Sequence, residues 1–259
     1  MKIEFDSLSL WQISIIGTMS NPVIPRTFII FLTGLLFLVG TSCNRFKQEK
    51  AVVTDLISPT PAVVEDRDGN VYHMVTIGTQ VWMVENLRTT RYDNGEPIPM
   101  VKDDSQWNKL TTGAFCNYEN DASYGSTYGH LYNFYTTLDT RNLCPAGWHV
   151  PTDEDWDILS SFLGGDLIAA GKMKDTKASS WDPPNFGATN ESGFTALAGG
   201  YRSIKGTFHS LGSYTFLWSS TAYAPETGWC RYFQNGSDRM DRIDNYKAFG
   251  FSVRCVKDK

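Results

Sequence analysis

The sequence is poor in histidine, with 4, and has only 5 cysteines, none of them spaced Cys-x-x-Cys. A zinc ribbon or a thioredoxin-like redox site needs that spacing, so neither is expected. His73, His130, His149 and His209 are scattered, and none meets another at the i, i+4 spacing of a helical metal pair. Each therefore reads as structural. A Gly-x-Ser-x-Gly elbow and a phosphate-binding glycine loop are both missing, which removes two common enzyme signatures. Basic runs are missing too. The net charge is −5, from 23 Lys+Arg against 28 Asp+Glu. Nucleic-acid affinity comes largely from clustered cations, so no nucleic-acid partner is expected. No cofactor and no metal is expected either. With 41% hydrophobic and 20% charged residues the chain is globular rather than disordered. Aromatics, by contrast, are plentiful, with 8 Trp and 12 Tyr. Their rings join an apolar body to a polar tip and suit both cores and recognition surfaces.

No apolar run reaches the ~20 residues of a membrane-spanning helix. The longest, Thr27–Gly40, follows Arg26 and ends in Gly40-Thr41-Ser42-Cys43. A short apolar run after a basic residue is the core of a secretory signal. Small residues leading into a cysteine look like a bacterial lipoprotein cleavage site, with Cys43 the lipidated residue. Residues 1–42 are thus read as a signal peptide. Residues 1–18 carry Glu4 and Asp6 and fit poorly, so Met19 is the expected true start. Loss of residues 1–42 removes Lys2 and Arg26 with Glu4 and Asp6, leaving the charge unchanged. Residues 43–64 turn polar and then Ser-Pro-Thr-Pro rich, the composition of a tether. Residues 65–259 are even in composition and form one domain.

Within that domain the Asp66–Asn70 run is a turn former. It resembles the start of a calcium loop but lacks the bidentate Glu at the twelfth position, where Ile77 stands. Residues 71–87 alternate about Gly78-Thr79 and predict a β-hairpin. Residues 88–142 show little periodicity and read as long surface loops with short strands. Tyrosines in 118–136 alternate with small polar residues, and either face a glycan or fill a loop-rich core. Residues 152–163 give the clearest helix. Thr152 is its N-cap, Asp155 completes a capping box, and Gly164 is its stop. Trp156, Leu159, Phe162 and Leu163 are its expected buried face. A weaker helix is expected at 167–174. Asp238, Asp241 and Asp244 alternate with Arg239 and Arg242 in what reads as a polar loop. Short strands and turns dominate from Gly193 onward, so the domain is expected to be α+β with two helices. With Cys43 assigned to lipid, Cys116, Cys144, Cys230 and Cys255 admit three disulfide pairings.

The blocks DRDGNVYHMVTIGTQVWMVENLRTTRY, LCPAGWHVPTDEDWDILSSFLGG, GATNESGFTALAGGYR, LWSSTAY and GFSVRCVK resemble the Fibrobacter succinogenes major paralogous domain family. The likeness covers roughly Glu65–Asp258. This family is common in surface lipoproteins of the Bacteroidetes–Fibrobacteres group. HVPTDEDW followed by a terminal GFSVRC also resembles the C-type-lectin-like superfamily. That implies short twisted antiparallel sheets, two helices, long loops and a last strand returning beside the first. Such a return implies Cys144–Cys255, leaving Cys116–Cys230. The lectin calcium signatures Glu-Pro-Asn and Trp-Asn-Asp do not occur, so a calcium-bridged sugar site is not expected.

These readings converge on an outer-membrane lipoprotein, at the cell surface or periplasmic face, held to the membrane by lipid. Its lectin-like domain is expected to bind a glycan or a surface protein without catalysis. The expected contact loops are 107–135 and 205–240, with Trp107, Tyr118, Tyr124, Tyr128, Trp229 and Tyr232 as ligand-binding candidates. The alternatives are an envelope hydrolase acting on polysaccharide or peptidoglycan, and a structural subunit of a surface assembly. No catalytic residue is singled out, because the separation of paired carboxylates is spatial rather than sequential.

Overall fold

A computed structural model describes residues 62–259. The signal, Cys43, the start at Met19 and all but the last residues of the tether lie outside the described residues. Among those described, no helix is long and apolar enough to cross a membrane.

The architecture is mixed α and β, mostly sheet, with five short helices where two were expected. One sheet runs in the order β1 (Val63–Glu65), β2 (Val71–Ile77), β3 (Gln80–Met83), β13 (Val256–Lys257), β6 (Trp148–His149). The opening hairpin pairs Met74 with Met83 and Ile77 with Gln80, turning at Gly78-Thr79 as the alternation predicts. The Asp66–Asn70 run is a tight turn. The Asp66 carboxylate accepts from the Asp68 and Asn70 amides at 2.9 and 3.0 Å and from the Tyr72 hydroxyl at 2.6 Å.

The second sheet runs β11 (Asp241–Tyr246), β10 (Thr227–Gln234), β9 (Tyr214–Ala224), β7 (Gly199–Arg202), β12 (Gly250–Phe251), β5 (Leu131–Asn133), β4 (Phe115–Cys116), and β8 (Phe208–Leu211) pairs β7. Its pairings are antiparallel except between β7 and β9. The expected polar loop at 238–244 is in part strand β11. Charge pairing disguised it: β11 is a half-exposed edge strand, and its Arg242 bonds to Asp153 of the helix packed on the sheet.

Residues 250–257 stitch the sheets together. β12 lies in the larger one, and β13 lies between β3 and β6 of the smaller. Arg254, between them, is fully buried. It donates to the Asn86 side chain at 2.8 and 3.1 Å and to the Phe194 carbonyl. The return of β13 carries Cys255 to Cys144, and the two form a disulfide. Cys116 and Cys230 do not pair. They are free, buried thiols in separate cores, Cys116 beside Trp107 and Cys230 beside Trp218, so no bridge between them can close.

Both sheets are covered on both faces because their inward residues alternate. On β3, Trp82 faces one core and Met83 the other; on β9, Leu217 opposes Phe216 and Trp218. Helices α4 (Asp153–Phe162) and α5 (Ala169–Met173) cover one face. There Trp156 packs on Trp82 with ring centroids 4.9 Å apart. The capping box forms as expected, with Thr152 and Asp155 bonded in both directions. Gly164 takes φ of +101° and ends the helix. Trp156, Leu159 and Leu163 are buried, but Phe162 is 63% exposed. At the sixth step from Trp156 its side chain has rotated off the buried stripe and lies over Gly78 instead.

The stretch 88–142 holds short strands and exposed loops, as expected, but it also carries short helices and buried segments at 113–118 and 131–134. It folds α1 (Asp104–Trp107) and α2 (Ala122–Tyr128) about a third core built on Trp107, Cys116, Tyr118 and Leu131, while α3 (Phe134–Thr137) sends Phe134 into the core of Trp218. Buried Arg202 holds this layer. It donates to the carbonyls of Val101, Lys102 and Gly206 at 2.6–2.8 Å, and lies between the Trp107 and Phe208 rings.

Candidate functional site

Asn133, the residue before α3, decides how the loops meet. Its side-chain oxygen accepts from the amides of Thr136 and Ala114 and from the Thr136 hydroxyl, while its amide donates to the Thr112 carbonyl at 2.8 Å. One buried side chain thereby caps α3 and fastens residues 112–114 against it. Gly113 is required there, because a Cβ would lie 2.2 Å from the Tyr92 hydroxyl. Pro97 and Pro99 run alongside, with the Phe115 amide bonded to the Pro99 carbonyl at 3.0 Å.

This arrangement leaves two adjoining clefts. The first, about 420 Å³, lies between Pro97, Pro99 and Thr111–Gly113 on one side and Tyr135, Leu138, Asp139 and Arg141 on the other. The second, about 250 Å³, lies between residues 108–111, Ile204, Glu226 and residues 246–248. Thr111 and Tyr135 line both clefts and stand between them.

The charges in the first cleft are committed. Arg141 grips Asp139 at 2.7 and 2.8 Å, reaches Glu96 at 2.6 Å, and stacks its guanidinium 4.0 Å from the Tyr92 ring centroid. Hydrogen bonds from Arg141 hold the Asp139 carboxyl down at about 2, so it is ionised at neutral pH and unsuited to act as a general acid. Burial, with the Asp139 charge beside it, pushes the Tyr92 phenol up to about 12. Burial also raises Tyr135, with Glu226 adding to the shift. What the clefts offer is a mixed wall of proline, leucine and tyrosine carbon with threonine, lysine and carboxylate groups at the rim.

None of the six aromatic residues expected to meet a ligand lines either cleft. Trp107 is 0% exposed and donates its indole N–H to the Ala248 carbonyl at 2.9 Å, beneath the second cleft. Tyr118 is buried against Tyr124 and Phe208. Neither can stack on a ligand, because both rings are spent on the third core. Tyr124 and Tyr128 are half-buried and pack on each other with centroids 6.2 Å apart. Trp229 is half-buried between Arg242, 3.5 Å above its ring, and exposed Tyr223, 4.5 Å away. Tyr232 lies on the opposite face of β10, stacked on Phe216. Of the two loops expected to carry contacts, residues 108–113 and Tyr135 of the first line the clefts, and Glu226 of the second lines the second cleft. Tyr135 sits inside the aromatic-rich segment that drew attention, but no local pattern marks which of its rings faces outward. Pro97 and Pro99 read only as turns.

The four histidines are all engaged. His73 bonds Glu85 at 2.7 Å, His130 packs on Phe115, and His209 meets Thr207 at 2.7 Å. His149 bridges Asp155 of the capping box and Asp258 near the C-terminus.

A family model described as the Fibrobacter succinogenes major domain matches residues 75–257, well over half of the chain. No curated protein and no solved structure matches it.

Proposed function

We propose that this chain, which belongs to the Fibrobacter succinogenes major domain family, is an envelope lipoprotein that binds a glycan in the paired clefts about Tyr135. In this reading residues 1–42 direct export and Cys43 carries the lipid. Residues 43–64 are the tether, and residues 65–259 are the binding domain with a C-type-lectin-like fold. The lectin-like assignment draws support from β13, which returns beside the opening hairpin. The lipid anchor and the outer-membrane location draw support from the Gly-Thr-Ser-Cys sequence behind the apolar run.

The observation that carries the binding reading is the pair of contiguous shallow clefts sharing an aromatic residue. Successive sugar rings present apolar faces and hydroxyl edges, and a wall mixing ring carbon with short polar groups matches both. Asp139, locked to Arg141, favours binding over acid-catalysed hydrolysis. The test is a glycan array probed with the Cys43→Ala chain, with and without chelator. Retention that survives chelator and is lost in Tyr135→Ala is the expected result. Retention indifferent to Tyr135→Ala, or no retention, overturns the site. Release of shortened glycan would identify a hydrolase instead. Radiolabelled palmitate should appear on the wild-type chain and not on Cys43→Ala.

A further inference from the structure

Phe162, Leu167 and Ile168 are large, apolar and exposed, and they lie within one short stretch joining α4 to α5. Their place in the fold is marked by two close approaches. The Phe162 ring lies over Gly78, where an added Cβ would come within 2.8 Å of it, and Ile168 folds back towards Gly164 at 2.9 Å by the same measure. The patch therefore sits at the tip of the β2–β3 hairpin.

The first described residues lie alongside the middle of β2. β1 is antiparallel to β2, with Glu65 opposite Val71 and Val63 opposite His73, and the Met74 amide bonds to the Ala62 carbonyl. Followed backwards from Glu65, the chain runs towards Met74 and the hairpin tip. Val63, on that path, is also exposed. Only residues 44–61 separate this point from Cys43.

The cleft with Tyr135 lies at the other end of the hairpin. Arg67, in the turn before β2, bonds Asp93 at 2.5 and 3.2 Å, and the Asp93 amide bonds to the Asn142 carbonyl next to Arg141. Seven residues of β2, about 20 Å of strand, separate the two ends.

We propose that Phe162, Leu167 and Ile168 rest in the lipid interface, holding the domain upright with its clefts facing away from the membrane. The placement rests on the lipoprotein reading above. Exposed aromatic and aliphatic side chains partition into the boundary between headgroups and acyl chains. Once an anchor holds the protein at the surface, a small patch is enough to choose its orientation.

The test uses the full lipidated chain in vesicles of phosphatidylethanolamine and phosphatidylglycerol that carry a lipid with a nitroxide near its headgroup. A fluorophore is placed at the patch through Leu167→Cys, or at the distant cleft through Leu138→Cys; both positions are exposed. Flotation with the vesicles, lost in Cys43→Ala, reports the anchor. Quenching several-fold stronger at 167 than at 138 is expected, and it should fall to the level of 138 when Phe162 and Ile168 are both changed to Ser. Flotation with equal or no quenching at the two positions overturns the patch while leaving the anchor in place. Failure of the wild-type chain to float overturns the anchor, and this placement with it.

Discussion

The two faces of the sheets are covered in different ways. On one, α4 and α5 lay an apolar stripe over the strands. The backbone bonds of α4 are largely satisfied within the helix, so its packing residues are free to be carbon: Trp82 on Trp156, with Leu159 and Leu163 around them, whereas the irregular chain beyond α5 is held by buried Lys174, which donates to the carbonyls of Phe186, Gln234 and Ser237. On the other, residues 88–142 supply only fragments of helix and strand. Where these fragments are buried, their amides and carbonyls cannot all be paired locally. Polar side chains make up the difference, with Arg202 serving three carbonyls and Asn133 serving two amides, a hydroxyl and a carbonyl. Regular structure lets a core be apolar; irregular structure obliges it to contain buried polar groups.

The strongest way to break this contrast is Arg202→Leu. It removes the donor of the Val101 and Gly206 carbonyls, one of two donors at the Lys102 carbonyl and the ion-pair partner of Asp104, and should cost about 3–5 kcal/mol in denaturant unfolding. A loss no larger than that of a surface change would mean that the loop layer stands on apolar contact alone. Asn133→Ala should cost about 2 kcal/mol and should also weaken whatever the clefts bind, since it frees residues 112–114 from α3. A binding assay beside the unfolding curve checks both effects. On the helical side, Thr152→Ala removes one end of the capping box and should cost only about 1 kcal/mol, with binding unchanged.

The smallest effect is a dependence on pH. The hydrogen bond to Asp155 raises the His149 pKa; burial opposes the shift and Asp258 adds to it. Its contribution is therefore complete below the ordinary histidine value of ~6.5 and is lost as pH rises through the higher folded value. Burial pushes the Asp155 carboxyl up, but the bonds from His149 and Thr152 outweigh it and hold it well below its usual range. That contribution is present above the ordinary carboxylate value of ~3.9 and lost only in stronger acid. This joint should thus be firmest between ~4 and ~6.5 and loosen towards alkaline pH. His149 is 37% exposed, so solvent screens the effect. As pH rises from ~6.5, stability should fall less for His149→Ala than for the wild type, read from unfolding curves at successive pH values.

The features legible in the chain were those written within a few residues. Alternation about Gly78 described the hairpin, and Thr152 with Asp155 described the start of α4. The five quoted blocks pointed to the family, and the family likeness pointed to Cys144–Cys255. Strand β11 escaped because its charges answer to Asp153 in another element. The six chosen aromatics missed the clefts because exposure is not a property of residue type: Trp107 and Tyr135 look equally available in sequence, yet one is enclosed and the other lines a surface.

Local sequence therefore determined the elements, since backbone preference, capping and alternation act over one turn or one strand. Tertiary structure alone decided the clefts and the apolar patch. The first cleft joins residues far apart in the chain, such as Pro97 and Asp139, and the patch, though short in sequence, is set against Gly78 of the distant hairpin. Which side chains are left facing solvent depends on how completely the others fill the space between the sheets.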